Sequence, residues 1–434
     1  MVKQVTNFQI VLLVFFASCA GPRPYPVRLS RNGQNSAVPV ELQKEVTIED
    51  ALTYAWVSHP VMERVAAQIR EKHGEKVQQS LWPRPNMGIT YESKKDRESS
   101  VGIEFAQKIE LGGKRRARVN VADQEIFLRE KELVQEWLDI RAGIKESAVQ
   151  FVCVKEIYAV MRRIREVDVE LAGQAQTLFK AGKISESEYL IKKENAEQSG
   201  YSVDAEKAVL VDAGRQFMFA AGITNINHIP DVGDYSQLTT PSAESFENLL
   251  AMARTNNPAF ASARARKMVA FAKYDLARAS RWFDVEVQTG YRDMSYEEND
   301  EESTGFKGGL ALDLPIWDRS QGEIASAHER LAIEVKNEII AALDVSRELS
   351  EIFAGFSKWV REASVRESSI YPSTRKRHVN AENAFKQGKI SKSELLLALR
   401  DFLQAESALV RARMMSNIYY INLERIAYSA ETGL

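Results

Sequence analysis

The pattern of apolar and polar positions changes its period along the chain. Between residues 47 and 81 it predicts two helices that are separated at Pro60, with Thr47 and Asp50 arranged as a helix N-cap. After residue 82 the apolar residues fall at every second position, which is typical of strands with one apolar and one polar face. The predicted strands cover residues 86–93 and 99–110 and are joined by a charged hairpin loop.

The second half of the chain repeats this change, with predicted strands at 284–293 and 305–316. Each of the four strands is long enough to cross a bilayer as a tilted barrel strand. Aromatic residues flank them, as in the girdle at a membrane interface: Trp82, Trp282, Phe283 and Trp317. The charged residues of the polar faces are expected to line a barrel lumen: Glu104, Lys108, Glu286, Arg292 and Asp313.

Most of the remaining chain shows helical spacing. In the second half, apolar residues between Ile324 and Val360 recur every three, four and seven positions, which indicates a coiled-coil seam. The matching segment of the first half runs from Lys114 to Phe179, and at about 1.5 Å per residue it would be on the order of 100 Å long. Pro372 is expected to kink or break the second long helix.

A tetrapeptide, Gly-Lys-Ile-Ser, occurs at 182–185 and again at 388–391. Neighbouring positions recur at the same offset, so the chain is interpreted as two structural repeats. The predicted organisation is repeat 1 at 47–223, a connector at 224–243 that contains Pro and Gly, and repeat 2 at 244–434.

The composition limits the classes of function. The chain has 434 residues, only 12 Pro and 22 Gly, and a formal net charge of −2. Few breakers favour long helices, and the absence of a basic excess argues against a nucleic-acid partner. Because the sequence shows no nucleotide loop, no catalytic triad and no metal-ligand spacing, we expect no enzyme activity, no cofactor and no metal site.

The N-terminus reads as a secretory signal peptide over residues 1–18, with Lys3 before the apolar stretch Phe8–Ala17. Small residues before Cys19 resemble a bacterial lipobox, in which the cysteine is acylated. The alternative is ordinary cleavage nearby, with Cys19 discarded or left as a thiol. The Pro-rich residues 19–46 then form an extended tether.

Cys153, inside a helix, is expected to be a small buried hydrophobe.

Four strands cannot close a barrel, and open sheet edges in hydrocarbon would leave backbone groups without partners. Closure therefore requires several copies around one axis, and three copies would supply about twelve strands. The alternative is a soluble protein in which a small sheet packs against a helical stalk.

The sequence resembles the TolC-like outer-membrane efflux proteins, and more closely the branch of CzcC-like heavy-metal channels. The resemblance rests on Ala51–Pro60 with its counterpart Leu249–Pro258, on Gln107–Arg115 (QKIELGGKR), and on the two Phe-x-x-Gly-Lys-Ile-Ser segments. It implies an α+β, TolC-like fold in which a homotrimer shares a 12-stranded transmembrane β-barrel. Long coiled-coil helices would continue that barrel as a periplasmic tunnel.

The resemblance also implies roles for particular residues. The tips of the two helical hairpins would contact a periplasmic adaptor protein: Gly182, Lys183, Ile184 and Ser185, and Gly388, Lys389, Ile390 and Ser391. The alternative is that these residues only make tight helical turns. Glu188 and Glu394 match an acidic periplasmic gate, or they are first-turn residues that the helix dipole favours.

The resulting hypothesis is a passive exit duct in the outer membrane of a Gram-negative bacterium, lipid-anchored on the periplasmic side. An adaptor would couple it to a proton-driven inner-membrane pump. The cargo would be heavy-metal cations or small toxic compounds. The alternatives are a duct for type I protein secretion and a lipid-tethered periplasmic coiled-coil scaffold without a pore.

Overall fold

The computed structural model describes residues 45–94, 98–224, 231–232, 240–296 and 301–427. The predicted signal peptide, Cys19, the tether up to residue 44 and most of the connector lie outside these ranges. None of the helices within them has both the length and the apolar character needed to cross a bilayer.

The first repeat begins with a short strand and alternates helices with one hairpin. Thr47 caps its first helix through a reciprocal capping box, since the Thr47 side chain accepts from the Asp50 N–H and the Asp50 carboxylate accepts from the Thr47 N–H. The elements are β1 Glu45–Val46, α1 Ile48–Ser58, α2 Pro60–Ser80, β2 Asn86–Lys94, β3 Glu98–Glu110, α3 Lys114–Lys180 and α4 Glu186–Ala220.

The second half of the chain has the same order of elements, and the first of them is a short strand inside the predicted connector 224–243. They are β4 Asp231–Val232, α5 Phe246–Asn256, α6 Pro258–Ala279, β5 Asp284–Tyr296, β6 Glu301–Leu312, α7 Gln321–Val365, a π-helix Arg366–Ile370, α8 Tyr371–Lys386 and α9 Lys392–Ala427. Helices α7 and α8 together correspond to the single helix α3. The repeated Pro60 and Pro258 each start a helix, where a missing N–H is tolerated.

The four long strands form one antiparallel sheet in the order β2-β3-β5-β6, and β1 pairs with β4 in parallel. The two hairpins of the sheet therefore come one from each repeat, and β3 and β5 join them along thirteen register pairs from Glu98↔Tyr296 to Glu110↔Asp284. Strands β2 and β6 are the two edges of the described sheet.

The prediction for the fourth strand was wrong at its ends, since β6 covers Glu301–Leu312 and not 305–316. Alternation of apolar residues continues through Leu314 and Ile316, but strand pairing does not. Strand β5 begins at Asp284, whose carbonyl accepts from the Asp313 N–H at 3.5 Å, so no partner backbone remains beyond this point. Pro315, which has no N–H, reinforces the end of the strand.

Pro372 interrupts the second long helix through a π-helical turn and not through a break. The Tyr371 N–H donates to the Arg366 carbonyl, five residues back, and α8 then continues from Tyr371. A proline ring clashes with the carbonyl four residues before it and cannot donate to it. The wider turn accommodates that ring, and the Thr374 hydroxyl donates to the Ile370 carbonyl at 3.0 Å.

The chain divides into two compact units, and each contains parts of both repeats. One unit comprises Ala66–Lys131 and Ser262–Ile339, which hold the four-stranded sheet and the adjoining helical turns. Ion pairs join its helices: Lys72 and Lys273 both contact Glu125, at 3.2 and 2.7 Å, and Lys267 contacts Glu338 at 2.5 Å.

The other unit comprises Glu132–Ala261 together with residues 45–65 and 340–427 among those described. Within this unit α3 packs against α9, which belongs to the other repeat. Buried α3 residues Val160, Ile164, Val167 and Leu171 pack with Leu396 and Leu403 of α9. Further along, Ala142, Val149 and Cys153 pack with Ile421.

Cys153 is fully buried, as the sequence predicts, and burial raises the pKa of its thiol to about 12. It is therefore a small core residue that stays protonated.

Candidate functional site

The sheet has one apolar face, and this face is exposed. Strand pairing puts the apolar residues of all four strands on the same side, for example Ile89 opposite Ile103 and Tyr291 opposite Phe306. Met87, Ile89 and Tyr91 are each 70% exposed and Phe306 is 80% exposed. A water-soluble sheet would cover such a face, so the exposure is the property expected of a lipid-facing surface.

The opposite face is polar, and the register places Glu104, Lys108, Glu286 and Arg292 on it. Three cations reach carboxylates across the strands. Lys108 Nζ lies 3.4 Å from Asp313 Oδ2, and Lys307 Nζ lies 3.4 Å from Glu104 Oε1. Arg292 contacts Glu92 at 3.7 Å. The five predicted lumen residues therefore share one side of the sheet, and whether that side lines a lumen stays a prediction.

A tighter ionic cluster lies at the end of the sheet where α3 begins. Lys114 Nζ lies 2.7 Å from Asp284 Oδ1, and Lys108 Nζ lies 3.1 Å from Asp284 Oδ2. One turn further along α3, Arg118 donates to both oxygens of Glu110. These contacts were not predicted, although Lys114 lies in the recognised Leu-Gly-Gly-Lys-Arg element. The spacing of four residues shows only that Lys114 and Arg118 share one face of α3, and it does not identify their partners.

Tryptophans lie at this same end of the sheet, where β2 and β5 begin and β3 and β6 end. Trp82 precedes β2, Trp282 precedes β5 and Trp317 follows β6. Arg115 lies 4.9 Å from the ring centroid of Trp82. Trp317, after β6, is 86% exposed. Trp282 packs on Gly112, whose φ is +69°, and a Cβ at Gly112 would overlap the indole ring. Glycine is required here both by backbone conformation and by space.

The first predicted tip joins α3 to α4. Gly182 has φ +68°, its N–H donates to the Phe179 carbonyl at 2.9 Å, and the Lys183 N–H donates to the Leu178 carbonyl at 2.9 Å. This is a Schellman motif, which ends α3. Ser185 then caps α4, since its Oγ accepts from the Glu188 N–H at 3.2 Å. The turn reverses the chain direction within five residues.

The second tip, between α8 and α9, repeats this geometry. Gly388 also has φ +68°, and its N–H and that of Lys389 donate to the carbonyls of Phe385 and Ala384. Ser391 starts α9. The tip lies beside α3, because the Ser393 hydroxyl donates to Gln174 Oε1 at 2.7 Å. Adaptor contact by either tip stays a prediction.

The two predicted gate residues differ in their surroundings. The Glu394 carboxylate accepts from the Ser391 N–H at 2.7 Å and from its hydroxyl at 2.9 Å, which completes a capping box. These hydrogen bonds lower the pKa of Glu394. At the first tip, the cap is the single bond from the Glu188 N–H to Ser185. Glu394 therefore has a structural role in its own chain, and the gate role of both residues stays a prediction.

A buried ion pair that no sequence pattern predicted lies between the tips and the rest of the second unit. Asp168 of α3 is 1% exposed, and its Oδ1 lies 3.0 Å from Nε of Arg400 on α9. A cavity of 350 Å³ adjoins the pair, and its lining includes the polar residues Asn195, Gln198, Ser199, Ser202, Gln404 and Ser407. Burial raises the pKa of Asp168 despite the nearby cation.

Comparisons with known proteins identify the fold and a family match in the second half of the chain. Residues 249–427 match the profile of the family described as Outer membrane efflux protein. The chain is 27% identical over 386 residues to the cobalt-zinc-cadmium resistance protein CzcC of Cupriavidus metallidurans, covering 85% of this chain and 88% of that protein.

Solved structures share the fold over most of the chain. A membrane protein from Pseudomonas aeruginosa superposes with a TM-score of 0.73 at 16% identity, covering 89% of this chain and 92% of that one. CusC superposes with a TM-score of 0.70 at 14% identity, covering 89% and 94%. VceC of Vibrio cholerae has a TM-score of 0.67 at 16% identity, covering 87% and 95%. The predicted TolC-like α+β fold is thereby confirmed.

The exposed apolar sheet face and the two capped hairpin tips agree with these matches: the chain has a TolC-like fold, and its residues 249–427 match the outer membrane efflux protein family.

Proposed function

We propose that this protein is the outer-membrane channel of a tripartite efflux system. Three copies form a passive exit duct, which a periplasmic adaptor connects to a proton-driven inner-membrane pump. The cargo is heavy-metal cations or small toxic compounds. The chain itself catalyses no reaction and supplies the route across the outer membrane.

The observation that carries this proposal is the open sheet with one exposed apolar face. Its edge strands β2 and β6 have no partner on their outer sides in the described sheet. An unpaired edge in hydrocarbon costs several kcal/mol for each backbone group. A sheet with a lipid-facing side must therefore close with sheets from other copies.

Closure by three copies gives a barrel of about twelve strands, which is wide enough for an aqueous lumen. In such a barrel the apolar face contacts lipid and the polar face lines the lumen. Glu104, Lys108, Glu286, Arg292 and Asp313 would then set the charge of the pore. Because these residues form cross-strand ion pairs, the lumen is charged but locally balanced.

The tips support coupling to an adaptor. Both hairpins end in the same exposed Gly-Lys-Ile-Ser turn, held by a Schellman motif and a serine cap. Two copies of one rigid turn in each chain give a trimer six similar docking positions. Glu188 and Glu394, just beyond the turns, are the proposed acidic gate.

Membrane attachment and cargo complete the proposal. Cleavage after residue 18 and acylation of Cys19 would anchor the chain in the membrane. The two repeats of the duct would be residues 47–223 and 244–434. Metal cargo is supported by the similarity to CzcC, whose name states resistance to cobalt, zinc and cadmium.

Two experiments test the proposal. The purified protein should be a trimer in detergent. After reconstitution in planar bilayers it should pass current, whereas a scaffold without a pore would pass none. Deletion of the gene should sensitise cells to zinc, cobalt or cadmium, and loss of secreted proteins with unchanged metal resistance would instead support a secretion duct.

A further inference from the structure

We propose that a cavity at the base of the sheet binds the head group of a phospholipid, with three arginines on the phosphate and Asp275 on the head-group amine. The cavity has a volume of 960 Å³ and lies between the start of α3 and the end of α6. Its charged lining residues are Arg116, Asp123, Asp275, Arg278 and Arg281, and Trp282 and Phe283 form an aromatic wall. The inference rests on the proposed insertion of the sheet in a membrane.

The cavity is on the side of α3 that faces away from the polar sheet face. Lys114 and Arg118, one turn apart, both reach carboxylates of the polar face, Asp284 and Glu110. At about 100° per residue, a residue two positions after either of them lies on the opposite side of the helix. Arg116 and Asn120 are at these positions, so the cavity opens on the side of the exposed apolar face.

The depth of the cavity matches a head group. It adjoins Trp282, at the end of the sheet where Trp82 and Trp317 are also found, and tryptophans of membrane proteins lie at the level of lipid head groups. On one side of the level of these tryptophans lies the sheet with its exposed apolar side chains, and on the other side lie the helices. A lipid whose acyl chains lie along the apolar face would present its phosphate here.

The charges of the cavity suit a zwitterionic phosphate diester. Among the described contacts, Arg116 and Arg281 make no ion pair, and Arg278 lies 5.8 Å from the Tyr274 ring centroid. Guanidinium groups form paired hydrogen bonds with phosphate oxygens. Asp123 is already paired with Lys76 at 2.7 Å, which leaves Asp275 available for an ammonium group. The head group that presents both charges, with an amine that can donate hydrogen bonds, is phosphoethanolamine.

The aromatic wall of the cavity is held in place by its contact with the backbone at Gly112. Trp282 is fixed against Gly112, where a side chain would overlap the indole. This contact stays in place without any ligand, so the aromatic wall is preorganised.

Native mass spectrometry of the detergent-purified, full-length protein tests the proposal. Wild type is offered palmitoyl-oleoyl phosphatidylethanolamine, the matching phosphatidylcholine and phosphatidylglycerol, and inorganic phosphate. We expect retention of up to one phosphatidylethanolamine per chain, with weaker retention of phosphatidylcholine, whose amine has no N–H. Equal retention of the three lipids, or binding of inorganic phosphate without lipid, would overturn the proposal.

Variants locate the site. The triple variant R116Q/R278Q/R281Q should lose about a hundredfold in affinity, since each arginine near a lipid surface contributes roughly fivefold. The control R70Q/R264Q/R375Q removes the same charge at exposed positions outside the cavity and should retain lipid. Asp275→Asn should weaken phosphatidylethanolamine binding and leave phosphatidylglycerol unaffected. Unchanged retention in the triple variant would reject the site.

Flotation with liposomes separates this proposal from the proposed function. If wild type fails to insert, both proposals fail. If wild type and the triple variant insert and conduct equally but also retain lipid equally, only the lipid site is rejected.

Discussion

Arg400 Nε lies 3.0 Å from Oδ1 of Asp168, and it links the second repeat to a carboxylate that is almost completely buried in the first. Neither group completes a well-directed hydrogen bond in this contact. A buried pair of this kind is weakly stabilising as a whole, but the loss of one partner is costly because the other charge stays buried. We therefore expect the pair to orient α3 against α9 more than it adds to stability.

A double-mutant cycle tests this interpretation. Arg400→Met should destabilise the protein by about 3 kcal/mol at neutral pH, because Asp168 loses its cation while its side chain remains in the core. The double variant D168N/R400M should recover most of this loss. The measurement is unfolding in detergent followed by circular dichroism. Additive effects of the two substitutions would contradict a coupled pair.

The pH dependence of stability follows from the same carboxyl group. Burial raises the pKa of Asp168 above its ordinary value of 3.8, against the opposing effects of Arg400, Ser199 and Lys192. The folded protein thus binds this proton more tightly than the unfolded chain does. Its contribution to stability is complete below 3.8 and is lost as the pH rises through the raised pKa.

We therefore expect the Tm of wild type to fall over this interval relative to that of Asp168→Asn, which carries no titrating group there. Melting curves at a series of pH values provide the measurement. Parallel pH profiles for the two proteins would show that Asp168 titrates normally.

The second tip depends on a left-handed glycine. Gly388 has φ +68° and donates its N–H to the Phe385 carbonyl at 2.8 Å. Proline can supply neither the angle nor the N–H, so Gly388→Pro should abolish export while trimers still reach the outer membrane. Gly388→Asn is the matched control, because asparagine tolerates this conformation, and it should retain export. Metal resistance and trimer content are measured together, and unchanged resistance in the proline variant would count against adaptor contact at the tip.

The base of the sheet depends on the contact between Gly112 and Trp282. Gly112→Ala should cost about 2 kcal/mol through backbone strain alone, and more because the new methyl group overlaps the indole. Gly113→Ala is the control for backbone strain. Gly113 has φ +75°, but a Cβ at this position would meet open space. Heat stability of the oligomer on gels measures the difference. Trp282→Ala in the Gly112→Ala background should restore part of the loss.

The charge of the polar sheet face should control ion selectivity. Lys307→Glu removes the partner of Glu104 and adds a negative charge on the same face. We expect a shift of the reversal potential toward cation selectivity in bilayer recordings under a salt gradient. Lys207→Glu, on exposed α4, is the control and should leave the reversal potential unchanged. Equal shifts in both variants would place Lys307 outside the conducting path.

Local sequence patterns were sufficient to locate the helices and strands, but not to predict which elements pair or pack with one another. Alternation along β3 and β5 located both strands, because a strand with two different faces must place them on alternate residues. The same rule failed at Leu314 and Ile316, where alternation continues without a neighbouring strand to pair with.

Asp168 could not have been found from the sequence. A lone aspartate on a long amphipathic helix looks the same whether it faces solvent or another helix, and its partner Arg400 lies in the other repeat. Gly182 and Gly388 were predictable because the conformation they adopt is one that few other residues tolerate.

The packing of α3 against α9 makes the two halves of this protein mutually dependent. A chain cut in the connector would yield two fragments, each with a long helix whose apolar residues have lost their cover: Val160, Ile164 and Leu171 on one, Leu396 and Leu403 on the other. Each compact unit combines segments of both halves, so we expect neither fragment to fold on its own. Produced together in one cell, the two fragments would still carry the matching apolar surfaces through which α3 packs on α9.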